Sequence, residues 1–424
     1  MLTLTDFQAV GDGVTLNTDA FARAIKAAKE KGEALYVPSG VFLTGTVNLD
    51  GVSLVLGEGA VILGSSDLAD YPEQDYQHNE MGALRALIVC MHADGVSITG
   101  RGTIDLNGRG FYPAKEYNVP PTRVPMNREQ VEECTYPIGP RPGQCIFFYD
   151  CTDVTVDGIT ILDAPNWTLS LHSCTDCRLT NLTIKTSLNI ANDDGIHLCG
   201  CDGAIISGCH ISSGDDCIAL SSITDWNRPC KNVVISDCVL RSCSKAIVLG
   251  YIYSIIENVT ISNCVIRESN RGITFMCDTH CGRIENVVVS NCVIDTKIRA
   301  GNWWGNGEPV FIMAVPQDMH LPAAQKNPRP EAGIVRNLRF ENLVCTAENA
   351  IGIVGYDNIE NVTLRGITYR RKPSKNLALK GSALDLSPSG ETAEIPETCA
   401  VYIRGADVTL DEIDADGGET LWQD

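Results

Sequence analysis

Two acidic pairs, Asp193-Asp194 and Asp215-Asp216, are the residues of this chain best suited to chemistry. Each opens the same short phrase: Asp193-Asp194-Gly195-Ile196-His197-Leu198 and Asp215-Asp216-Cys217-Ile218-Ala219-Leu220. Later copies read Ser244-Lys245-Ala246-Ile247-Val248-Leu249 and Asn270-Arg271-Gly272-Ile273-Thr274-Phe275, and an earlier one reads Asn166-Trp167-Thr168-Leu169-Ser170-Leu171. If the phrases stack, Trp167, Asp194, Asp216, Lys245 and Arg271 form one column, with Asp193 and Asp215 beside it. Like charges at one or two strand spacings raise the pKa of at least one carboxyl. Such groups on a rigid surface suit general acid/base work. Hydrolysis of a glycosidic bond needs such a set, an acid at the leaving oxygen and a carboxylate base for water. A calcium site or a solvated acidic turn would use the same residues, and repeat position alone leaves the choice open.

Other candidates surround the column. Trp303 and Trp304 precede Glu308 in Gly301-Asn-Trp-Trp-Gly-Asn-Gly-Glu308. Aromatic faces bury the apolar side of a sugar, and a carboxylate accepts its hydroxyls. The same loop could instead pack onto the body of the fold. Trp167 is a second candidate sugar platform, with a packed strand tryptophan as the alternative. Lys245 and Arg271 suit a substrate carboxylate, or they balance the acidic ladder. Strand alternation turns His197 away from Asp194, which makes it a structural histidine, and His172 stays ambiguous.

The elements that must position these residues are repeats. Val233-Val-Ile-Ser-Asp-Cys-Val-Leu240 recurs as Val259-Thr-Ile-Ser-Asn-Cys-Val-Ile266 and Val287-Val-Val-Ser-Asn-Cys-Val-Ile294. Each copy alternates apolar and polar residues, bends at a turn residue, then alternates again, as two short strands would. Cys209, Cys238, Cys264 and Cys292 follow one another at 29, 26 and 28 residues. A period of that length built from strands alone predicts a solenoid of stacked parallel coils. The four cysteines then form an inward ladder of small apolar groups rather than redox pairs. Asn17 to Gly32 predicts an amphipathic helix with Phe21, Ala24, Ile25 and Ala28 on its apolar face. It has a polar N-cap and a glycine stop, and is placed to seal the first coil. The expected organisation is one domain over 1–424, with cap and first coil in 1–50 and the last coils and a C-terminal extension in 370–424. The triplets starting at Asn166, Asn181, Asn258 and Asn361 fit a glycosylation pattern, but turn and ladder roles explain those in the repeats better.

Composition narrows the partners. The formal net charge is −20 over 424 residues, which excludes a nucleic-acid surface and argues against an anionic membrane. The 44% apolar content excludes global disorder. Nineteen cysteines without zinc-site spacing, and a start lacking a basic segment followed by an apolar run, lead to the expectation of a cytoplasmic protein with reduced thiols and no metal or cofactor.

On these motifs the chain resembles the polygalacturonase family of glycoside hydrolases, family 28. The resemblance starts at Asp6-Phe-Gln-Ala-Val-Gly-Asp-Gly13 and includes Arg141-Pro142 before Phe147-Phe148. It is strongest at Asn192-Asp193-Asp194-Gly195 and Gly214-Asp215-Asp216-Cys217, where 21 residues separate Asp194 from Asp215. It implies an all-β, right-handed parallel β-helix and an inverting glycosidase. Asp215 then resembles the general acid, and Asp194 with Asp216 the pair that activates water. Asp193 stands where the family has threonine and is expected as an extra local charge near the substrate. Two family motifs are absent. Ser244-Lys245-Ala246 replaces Gly-His-Gly, and Thr274-Phe275-Met276 replaces Arg-Ile-Lys. The implied substrate is a pectin-derived oligosaccharide, galacturonide or rhamnogalacturonan, cut from an end, with residues 317–331 as a wall across the cleft. A carbohydrate-binding solenoid without catalysis, and a lyase or epimerase on the same fold, are the competing readings.

Overall fold

The structure is a computed structural model. It describes all residues except 79–81, 114–115, 120–124, 138, 224–227, 252, 278–280, 302–303, 316–332, 378–398, 417–420 and 424. Among the described residues thirty-two strands, most of them short, join in one sheet of parallel pairings, coil upon coil, as a right-handed parallel β-helix. A small antiparallel pair, Gln77–His78 with Gly82–Ala83, stands outside it. Each coil repeats the one before in register. Leu171 pairs with Leu198, Leu198 with Leu220, Leu220 with Leu249, and Leu249 with Phe275, so one inward ladder runs along the core. The repeat phrases are the reason: an apolar residue recurs at the same inward position in every coil, and stacking buries it against its copies.

The bends are built from asparagine and aspartate. Asp237, Asn263 and Asn291 turn the repeat phrases at φ 57°, 56° and 55°, the left-handed region that these side chains tolerate. A second ladder runs through Asn232, Asn258, Asn286, Asn337 and Asn361. In it each side-chain amide donates to the carbonyl oxygen of the asparagine below, at 2.9–3.1 Å. Asn258 and Asn361 are thus members of a hydrogen-bonded ladder.

The cysteine ladder is inward. Cys209, Cys238, Cys264 and Cys292 are buried free thiols, and each Sγ–H donates to the carbonyl two residues earlier. The helix Thr18–Lys31 covers the first coil with Phe21, Ala24, Ile25 and Ala28 buried, and Gly32 ends it at φ 63°. Its N-cap departs from expectation. The Asn17 side chain makes no cap bond. Its Oδ1 accepts from the Val10 N–H and its Nδ2 donates to Val10, Thr15 and Leu43 carbonyls, tying the segment before the helix to the first coil. At the far end, Val408, Leu410 and Ile413 of Val401–Ala415 are only half-buried, and Asp407, Asp411, Glu412 and Asp414 alternate with them. Charge on such an edge discourages pairing with another sheet. Among the described residues no helix is long and apolar enough to cross a membrane.

Asn286 tests the ladder. It sits at φ 59° and bonds neighbours on both sides. Asn286→Val should cost ~2 kcal/mol in urea unfolding, and Asn286→Gly, which keeps the conformation and loses the bonds, less than half of that. Equal costs would assign the ladder no conformational role.

Candidate active site

The column is present as one row on an outer face of the helix. The register of the strands following each bend places Trp167, Asp194, Asp216, Lys245, Arg271 and Glu308 at one position of successive coils. A corner explains how the row turns outward. Cys217 and Ile218 both belong to the core, as do Ala246 and Ile247, so two consecutive residues point inward at each corner. Alternation slips by one there. That slip brings His197 to the same outer face as Asp194, against the expectation that it would point away. Its Nδ1 lies 3.5 Å from Asp194 Oδ2, and its Nε2 is 2.8 Å from Ser221 Oγ. The Trp167 ring packs on the His197 ring, with centroids 3.9 Å apart. His172 is buried beyond them, its Nδ1 3.0 Å from the Tyr76 hydroxyl.

Asp215 is held from four directions. Its N–H donates to Asp193 Oδ1 at 3.0 Å, and its Oδ2 accepts the Asn192 N–H at 3.1 Å. Its carbonyl accepts the hydroxyls of Ser213 and Ser242, both at 2.7 Å. These serines begin a buried hydroxyl row. Ser269 Oγ accepts from the Ser242 N–H, and in the next coil the Thr296 hydroxyl donates to the Gly307 carbonyl. The row was visible in the repeats as Ser213, Ser242, Ser269 and Thr296, but nothing in the sequence tied it to Asp215. Gly214 is required before Asp215, because a Cβ there would lie 2.3 Å from the Ile190 carbonyl oxygen and 2.4 Å from Asp193 Oδ1.

Asp193 is wholly buried behind this turn and touches the Asp215 backbone rather than the cleft. Its placement differs from that of a substrate contact. Burial holds its carboxyl well above the ordinary carboxylate range, and the charges of Asp215 and Asp194 push the same way. Asp216 is also raised, by burial first. Lys245 opposes the shift, and Asp215 and Asp194 add to it. Asp216 Oδ1 accepts the Lys245 N–H at 3.1 Å and lies 3.4 Å from Lys245 Nζ.

The loop after Gly301 closes over the next coils. Lys245 Nζ lies 5.4 Å from the centre of the Trp304 ring, and the Ser244 hydroxyl donates to the Trp304 carbonyl. Gly305, at φ 130°, brings its backbone onto Arg271, where a Cβ would be 3.0 Å from the Arg271 Cβ. Arg271 and Glu308, expected as substrate contacts, are paired with each other. Arg271 Nε and Nη2 donate to the two Glu308 oxygens at 3.0 and 3.1 Å, with the residues 1% and 2% exposed. The Arg271 guanidinium also stacks 4.1 Å from the Phe311 ring. A bidentate pair beneath a loop stabilises that loop; its polar atoms face each other. Trp303 and the wall expected over 317–331 lie outside the described residues. Among the described residues no three His, Cys, Asp or Glu side chains are arranged to hold a metal ion.

Arg141 is the component that sequence reasoning left without a role. Its Nη2 donates to Asn192 Oδ1 at 3.3 Å, its Nη1 bonds the Tyr112 hydroxyl, and its charge reaches Asp193, Asp215 and Asp194. The only signal was its place in the Arg141-Pro142 motif.

The buried Asp193 carboxyl makes stability depend on pH. Its native pKa is raised above the unfolded value, so its contribution is complete below the unfolded pKa and is lost as pH rises through the native one. Asp193→Asn keeps an oxygen acceptor for the Asp215 N–H and cannot ionise. In urea unfolding, D193N should gain on the wild type progressively as pH rises above the ordinary carboxylate range. A difference independent of pH would show that Asp193 titrates normally.

Comparison with known proteins identifies the family. The pattern of glycosyl hydrolases family 28 matches residues 28–301. A protein of Vitis vinifera named "Probable polygalacturonase" is 31% identical over 251 residues, covering 55% of this chain and 48% of its own length. The "Exo-poly-alpha-D-galacturonosidase" of Dickeya chrysanthemi is 35% identical over 119 residues, covering 26% of this chain and 20% of its own. The chain spans about half the length, or less, of the curated relatives it matches. Among solved structures, the exopolygalacturonase of Thermotoga maritima superposes with a TM-score of 0.71 at 19% identity, covering 98% of this chain and 91% of that one, and so shares its fold. With the family pattern running through both aspartate pairs and over more than half of the residues, the chain belongs to glycosyl hydrolases family 28.

Proposed function

We propose that this chain hydrolyses glycosidic bonds of pectin-derived oligosaccharides by a single inverting displacement, from a chain end. The observation that carries the reading is the held Asp215 beside the Asp194–Asp216 stack. Asp215 is fixed through both its backbone and its carboxylate, as a proton donor to a leaving oxygen must be. Asp194 and Asp216, at one position of adjacent coils, hold and deprotonate the attacking water. The raised pKa of Asp216 suits that task, since a base nearer the working pH takes a water proton more readily. The Lys245 cation opposes that rise and so favours the ionised form. Proton transfers among these groups account for each step without a cofactor.

The position of Trp304 over Lys245 supports action at a chain end, because it covers the face one coil past Asp216. The name of the Dickeya relative points the same way. Galacturonides and rhamnogalacturonan fragments are the substrates to test first.

Asp215→Asn should lower kcat by about 10³-fold with little change in thermal midpoint. The assay is release of reducing ends from pectic oligosaccharides, with the product anomer followed by NMR. Retained activity would remove Asp215 as the acid, and an unsaturated product absorbing in the ultraviolet would replace the hydrolase with a lyase. Lys245→Met removes the cation that lowers the Asp216 pKa, so the ionised base appears only at higher pH. The acid limb of kcat/KM should move upward in pH, with about tenfold or greater loss on the acid side. An unmoved limb would separate Lys245 from Asp216 in the reaction.

A further inference from the structure

Cations on the site column are already matched by carboxylates. Lys245 faces Asp216, and Arg271 grips Glu308. Arg141 differs. It is half-buried beside the same aspartates, yet no carboxylate of the described residues lies within ion-pair distance of it. Its bonds go to two neutral groups, the Asn192 amide oxygen and the Tyr112 hydroxyl, whose ring it also overlies with 5.6 Å to the centroid. A guanidinium has five donors in a planar fork, suited to a carboxylate held by two parallel bonds. The charges of Asp193, Asp215 and Asp194 reach it, but among the described residues none of them bonds it, so its fork has no carboxylate seated in it.

Its location says which carboxylate would complete it. Asn192 accepts from Arg141 and donates its own N–H to Asp215 Oδ2, so one residue separates the guanidinium from the proposed acid. The guanidinium is therefore one residue removed from the group that meets the leaving oxygen. The tyrosines beside it add apolar surface. Tyr112 and Tyr136 lie 6.2 Å apart, and Tyr117 stacks on Tyr136 at 5.2 Å. The place of the absent Arg-Ile-Lys motif, on the strand Arg271–Met276, carries Thr274, Phe275 and Met276, with Phe275 buried in the core.

We infer that Arg141 binds the carboxylate of a uronic acid residue of the substrate, at the sugar adjoining the oxygen that Asp215 protonates. This rests on the hydrolase reading above and deepens it, by making the sugar next to the cut an acidic one. Arg141 has two duties here. It orients Asn192, and through it Asp215, and it selects for a free carboxylate.

The test compares oligogalacturonides with their methyl esters, in which the carboxylate is neutral and the ring unchanged. The wild type should favour the free acid in kcat/KM. Arg141→Gln should lower that acid-to-ester preference by at least about tenfold, mostly through KM, and Arg141→Lys by less. Equal losses on both substrates would overturn the inference and leave Arg141 as a support for Asn192 alone. Should R141Q not fold, calorimetry on D215N and on D215N/R141K decides the matter. Galacturonate should bind D215N more tightly than galactose does, and the difference should shrink in the double variant. An unchanged difference would overturn the proposal. A wild type inactive on every pectic oligosaccharide removes the hydrolase reading and this inference with it. An active wild type with unaltered preference in R141Q removes this inference only.

Discussion

In-register stacking of the coils is the constraint on which everything else rests. Each strand hydrogen-bonds its counterpart one coil away, so a residue type placed once in the repeat is placed again ~4.8 Å further along. In the core this multiplies one apolar contact into a ladder, from Leu171 through Leu198, Leu220 and Leu249 to Phe275. At the bends it multiplies one amide bond into the Asn232 to Asn361 ladder. On the outer face it brings Asp194 over Asp216 at a separation that no flexible loop would hold against their repulsion.

The same constraint made much of the chain legible. The column from Trp167 to Arg271 could be read because the phrases share a length after the bend, and stacking keeps equal lengths in line. The inward cysteines followed for the same reason, as did the helix over the first coil, whose apolar face has the 3.6-residue spacing. His197 was misread because alternation was carried through the corner. There Gly195 and Ile196 both turn inward, and the side of every later residue changes. Asn17 was misread because a polar residue before a helix has other acceptors to find once the first coil lies beside it. Arg141 and the Ser213, Ser242 and Ser269 row were not legible as site components. Their contacts cross between coils or from an excursion back to the body, and sequence spacing carries no record of such contacts.

Charge placement along the column gives the site its asymmetry. The order is Asp194, Asp216, Lys245, Arg271, Glu308. Asp216 with Lys245, and Arg271 with Glu308, form two adjacent pairs of opposite charge, the second buried deeply enough that neither member alone would be tolerated. Asp194 stands at the start of this order. Its neighbour is the His197 imidazole from the adjoining row, 3.5 Å away, and Asp215 is steadied by N–H groups and by the buried Asp193. Asp194 and Asp215 thus differ from Asp216 in their surroundings, which are an imidazole and a buried backbone network rather than a lysine.

An acidic site on a chain of net charge −20 repels a polyanion at long range. A uronic acid substrate then needs a short-range compensation. Long-range attraction would require many cations, and this surface has few to spare. On the proposed reading, a single guanidinium beside Asp215 would supply that compensation next to the bond being cut. Arg141 has that position, and the cations deeper in the column do not, because Asp216 and Glu308 already hold them. On the same reading each further uronate of a longer chain would add repulsion, while only the one beside Asp215 would gain a partner.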